Sequence, residues 1–79
     1  MERAELDHAL LQAHADKDSA ALVRLYTLAG DQAEAAGNID AACFYLTHAF
    51  VFALEAGLPE ARELNRRLAE RGRAHPLEL

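Results

Sequence analysis

The chain has 79 residues, a net charge of −5 and an isoelectric point near 5.2. Its length fits one domain, and its acidity disfavours nucleic-acid phosphates and anionic membrane surfaces as partners, since both repel a negative protein. A chain this small buries only about 60–65% of the surface it exposes when unfolded, so its stability margin is thin. Hydrophobic residues make up 52% and aromatics only 6%. The apolar content is mostly alanine and leucine, the best helix formers, which describes closely packed helices.

From Glu2 to about Ala15, Leu6, Ala9, Leu10 and Ala13 recur at three- and four-residue steps, on one face of a first helix. Asp16-Lys17-Asp18-Ser19 interrupts the pattern, and Asp18 or Ser19 can accept hydrogen bonds from the free N–H groups that open a second helix. That helix runs through Leu22, Leu25, Tyr26, Ala29 and Ala33 to Gly37, which ends it by tolerating a positive φ. Asn38 and Asp40 cap and complement a third helix from about Ile39 to Ala56, apolar nearly all round and therefore expected at the centre with neighbours on more than one side. Gly57-Leu58-Pro59 stops it and starts a last helix with Ala61, Leu64 and Leu68 inward. Glu63 and Arg67 are expected there as an exposed pair worth about 0.3–0.5 kcal/mol. After Gly72 the tail, with Pro76, is expected to fray. Such short connections force successive helices into antiparallel hairpins. The expectation is an all-α bundle of about four helices.

Cys43, the sole cysteine, cannot form an intrachain disulfide and falls in an apolar segment, which suits a packed thiol in a reducing, cytoplasmic setting. The charged start, Met1-Glu2-Arg3-Ala4-Glu5, is followed by no continuous apolar stretch, so secretion is not indicated. The most apolar stretch, Ala41 to Leu54, is broken by Thr47 and His48 and falls short of the roughly 20 residues that cross a bilayer. It is expected to be a buried helix, with no membrane partner.

Residues from about Leu22 to Glu55 resemble a tetratricopeptide repeat, whose two helices carry small residues where they approach closely. Tyr26 stands where that family puts a large aromatic, Gly30 where it puts a small residue, and Ala42 and Ala49 where it puts two alanines. Leu46 takes the large apolar place between those alanines, and Gly37-Asn38 takes the turn. Independently of the name, Gly30 and Ala33 let Ala42 and Ala49 come near, while Tyr26 and Leu46 fill the remaining space. Ala33 replaces the usual tyrosine, Leu54 the usual proline, and Pro59 comes about five residues late, which lengthens the third helix. Leu22, Tyr26 and Gly30 are echoed about forty residues on by Leu64, Leu68 and Gly72, and Ala9 and Ala13 by Ala49 and Ala53. The resemblance implies a right-handed arrangement with one full hairpin over about 19–57, flanked by capping helices over about 2–16 and 59–73.

The resemblance also implies a partner-binding groove on the outward face of the first helix of the pair, here Arg24, Thr27, Asp31 and Glu34. Spacing puts these four on one polar stripe, opposite Leu22, Tyr26 and Ala29. Asp31 and Glu34 would repel a carboxylate and favour a basic or mixed-charge segment. A second surface is Phe44, His48 and Val51 on the third helix, aligned on the side away from Ala42, Leu46, Ala49 and Ala53. The first or last helix of the same chain, a second copy, or another protein must cover it.

No metal, cofactor or catalytic site is expected. His8 and His14 lie about 240° apart around a helix and Cys43 and His48 are poorly matched, so neither pair can share an ion. There is no phosphate loop, nucleophile elbow or HExxH. Arg62, Arg66, Arg67, Arg71 and Arg73 alternate with Glu60, Glu63 and Glu70, the balance of a solvated helix. The expected function is non-catalytic protein–protein interaction, binding a peptide or partner helix. The alternatives are a self-associating homodimer and a small-ligand domain using Tyr45, Cys43 or His48.

Overall fold

A computed structural model describes residues 1–73 of the chain; the tail containing Pro76 lies outside the described residues. Four helices follow in order: α1 Arg3–Ala15, α2 Ser19–Ala35, α3 Ile39–Ala56 and α4 Glu60–Glu70. The protein is an all-α helical bundle, and no strand occurs among the described residues.

Local chemistry sets the boundaries. Asp18 accepts a hydrogen bond from Ala21 N at 3.1 Å, and Asn38 one from Ala41 N at 3.1 Å, so the donors orphaned at the starts of α2 and α3 are met by neighbouring side chains. The two preceding turns share one geometry: Asp18 N donates to Ala13 O at 3.0 Å and Asn38 N to Ala33 O at 2.9 Å. Each needs a left-handed residue just before the cap. Gly37 supplies it at φ 79°, while in the first turn Lys17 takes φ 54° against its side-chain preference. Pro59 sits at the N-cap of α4 without a side-chain cap, one step earlier than a first-turn proline.

The longest apolar helix is central, as its composition predicts. α2 and α3 share the most extensive contact, α4 packs on α3, and α1 packs on α2. The core gathers Leu6 from α1, Val23 from α2, Leu46, Ala49 and Ala53 from α3, and Leu64 and Leu68 from α4, with Cys43 buried among them. Gly30 is the closest approach: a Cβ there would fall 2.8 Å from both Cγ and Cδ2 of Leu46 and 3.3 Å from the Ala42 carbonyl oxygen. Gly30 and Ala42, two of the small residues read as helix-crossing positions, therefore sit at the crossing. The Gly30–Gly72 echo does not extend to structure, because Gly30 lies inside α2 whereas Gly72, at φ 71°, lies past the end of α4.

α4 presents Glu60, Arg62, Glu63, Arg66 and Glu70 to solvent, a polar outer face that ends the stack of helices. The result is a thin slab of 34 × 30 × 13 Å. In so thin a body every helix keeps one side near solvent, and the composition of that side decides what the protein can meet.

Candidate interaction surfaces

The polar stripe of α2 is engaged by α4. Arg67 Nη2 lies 2.6 Å from Asp31 Oδ1 and 3.6 Å from Glu34 Oε1, and Arg71 Nη2 lies 3.1 Å from Glu34 Oε2. Arg67 is the shielded member, its side chain 20% exposed against 51% for Asp31 and 37% for Glu34. Such exposed pairs contribute about 0.2–1 kcal/mol each. Thr27 turns its hydroxyl onto its own helix, donating to Val23 O at 2.7 Å, and Arg24 is exposed. Of the four stripe residues, Asp31 and Glu34 are thus brought together around two arginines. A basic segment would have to displace them.

This arrangement alters the expected Glu63–Arg67 pair. Arg66 is instead held between Glu63 and Glu70 on the outer face of α4, while Arg67 reaches α2. One residue moves a side chain about 100° around the helix, so Arg67, with Arg71 one turn on, faces the acidic stripe while Arg66 does not. Arg73 also closes inward, with Nη2 2.6 Å from Asp40 Oδ1. Four of the five arginines singled out from the sequence are therefore spent on the chain's own carboxylates. The pairing holds the Glu63 carboxyl below the usual carboxylate range, chiefly through its hydrogen bonds from Arg66.

A seam of rings joins α1, α2 and α3 on another face. The Tyr26 ring stacks on His48 at 5.0 Å and on Phe52 at 6.0 Å, one turn apart on α3. Its hydroxyl lies 2.9 Å from His14 Nε2, and His14 sets its ring edgewise to Tyr26 and Phe52, each at 5.8 Å. At the other end of α1, Arg3 Nη2 donates to the Tyr45 hydroxyl at 2.9 Å and Arg3 Nε to Asp7 at 3.1 Å. Tyr26 therefore fills a seam with α1 as well as its expected space against α3. Partial burial, with Tyr45 nearby, raises the Tyr26 hydroxyl above its ordinary pKa of 10.0.

Beyond the seam, the outer side of α3 is open. Phe44 is 59% exposed and Val51 43%, and His48 is half-buried between them. Neither α1 nor α4 covers the strip; α1 reaches α3 through Arg3 on Tyr45 and His14 on Phe52. Leu54, 46% exposed, extends it by a further turn. The steps 44, 47/48, 51, 54 form a heptad-like seam that was present in the sequence, although Leu54 invites attention there only as a proline replacement. His48 Nδ1 lies 2.9 Å from Phe44 O; a carbonyl can only accept, so the ring proton sits on Nδ1. Thr47 donates to Cys43 O at 2.7 Å. Thr47, His48, Val51 and Phe52 line a shallow apolar dimple of about 220 Å³.

α3 has 18 residues and a mean hydropathy of 1.3, enough by length and composition alone to cross a membrane. Its inner face, Ala42, Cys43, Leu46, Ala49 and Ala53, is packed inside the bundle. Among the described residues no three His, Cys, Asp or Glu side chains gather as a metal site would require. No protein family, curated protein or solved structure matches the chain.

Proposed function

We propose that the chain is a non-catalytic protein–protein interaction module that receives the apolar face of a partner helix along the outer strip of α3. The observation that carries this reading is the strip itself: Phe44, Val51 and Leu54 exposed in one line on a helix with no Asp, Glu, Lys or Arg between Asp40 and Glu55. Burying such side chains yields about 25 cal/mol per Å² of apolar surface, whereas the α2 stripe offers carboxylates that a partner must first win from Arg67 and Arg71. The strip's lack of charge selects a helix with an uncharged face over a basic peptide. A buried Cys43 thiol suits a reducing, cytoplasmic setting.

A photo-reactive side chain placed at Thr47, irradiated in a cell extract, tests the reading. The expected result is a discrete protein adduct, cross-linked through an amphipathic helix and lost when Phe44→Glu is added. Absence of an adduct, or the same adduct from a probe at Arg24 and none at Thr47, overturns it.

A further inference from the structure

We infer that the helix received by this strip is the α3 of a second copy, packed antiparallel about a two-fold axis that passes beside Thr47; this rests on the strip being a docking surface. The strip carries a knob and a socket. Phe44 projects from it, 59% exposed, and the dimple lined by Thr47, His48, Val51 and Phe52 lies further along the same face. From Phe44 to the middle of the dimple is about 8 Å along the helix at 1.5 Å per residue. A two-fold axis across the helices, midway between them, seats each Phe44 in the other copy's dimple. Residue i meets j and j meets i, as a closed dimer requires. A parallel dimer would hold both rings at one height and both dimples at another, leaving all four unfilled.

Charge agrees with this occupant. Two copies of a chain with net charge −5 repel over most of their surface, yet they meet here along a stretch free of formal charge. The antiparallel register also carries Glu55 to the first turn of the second copy's α3. In that turn Asn38 caps the Ala41 N–H at 3.1 Å and Arg73 lies 2.6 Å from Asp40, so the one carboxylate there that Glu55 would meet is already balanced by an arginine. A strip built for a basic partner would show the opposite pattern, with carboxylates along the contact.

Light scattering on the purified full chain, with Phe44→Glu and Thr47→Cys variants, tests the assignment. The wild type should have twice the chain mass at tens of micromolar, and raising NaCl should tighten the dimer by screening the repulsion between copies. Phe44→Glu should be monomeric with unchanged helical circular dichroism, since Phe44 leaves no core position empty. Thr47→Cys, next to the axis, should oxidise to a disulfide-linked dimer. Leu11→Cys, on an α1 residue 71% exposed, should not. A wild type that stays monomeric at millimolar concentration overturns the assignment, as does a dimer that Phe44→Glu leaves intact. A monomer that still gives the Thr47 adduct in extract rejects self-pairing while retaining the docking surface; a monomer without that adduct rejects both.

Discussion

The two solvent-facing surfaces that the sequence singles out, the acidic stripe of α2 and the outer strip of α3, have opposite fates in the fold. The stripe meets a ready partner within the chain, because α4 lies alongside and brings Arg67 and Arg71 to Asp31 and Glu34. The strip meets none, because α2 and α4 pack on α3 and α1 packs on α2, which leaves Phe44, Val51 and Leu54 outward. Charge looks like the stronger signal of a binding site in a sequence. A small bundle can neutralise its charges internally, however, while it lacks helices to cover every apolar side of its central one.

Both surfaces depend on α2 and α3 being held at close range, so the largest effect should come from wedging them apart. Gly30→Val places side-chain atoms against Leu46 and the Ala42 carbonyl and should cost about 2–3 kcal/mol in urea unfolding. Unchanged stability would mean that the crossing is loose.

Tyr26→Phe acts on the ring side alone. Losing the contact with His14 should cost about 0.5–1.5 kcal/mol near neutral pH. The variant should also change the alkaline limb of stability. The hydroxyl is raised above 10.0 when folded, so the unfolded chain ionises first. The stabilising contribution is therefore complete below pH 10 and is lost as pH rises through the folded value. Tyr26→Phe should flatten that loss, and an identical alkaline limb in the two proteins would show that Tyr26 is not the group responsible.

Smaller still is the effect on the charged side. Arg67→Ala with Arg71→Ala should cost about 0.5–1 kcal/mol at low salt after screening of half-exposed partners, and less in 1 M NaCl. A salt-independent cost would assign their role to packing of the arginine stems. Least of all, Lys17→Gly should gain about 0.5 kcal/mol by relieving the left-handed residue in the turn that leads from α1 to α2.

Much of the fold was legible because it is written in neighbouring residues. Asp18 and Asn38 announce their helices, Gly37 ends one, and the near-uniform apolarity of α3 makes it central. The crossing at Gly30 was legible for a similar reason, since small residues matter only where backbones converge. Less could be read where the answer depends on how distant elements lie side by side. The reach of Arg67 to Asp31, 36 residues away, follows from α4 settling beside α2. Tyr26 meets His14 only because α1 returns along α2. The open side of α3 was visible as a strip, but whether another helix of the chain would cover it depended on the packing of all four.

The hydrogen bond from His48 to the Phe44 carbonyl turns one nitrogen of the imidazole inward and commits its proton. In the neutral ring the other nitrogen then carries a lone pair, on a half-buried residue that stands between Phe44 and Val51 in the uncharged strip. Any helix laid across it must offer a donor at that height or trap a water there, and a slip of one turn would leave the lone pair dry and unmatched. A single polar atom thus works as an alignment notch: it adds little to how tightly two helices hold, and it discriminates among the ways they could slide.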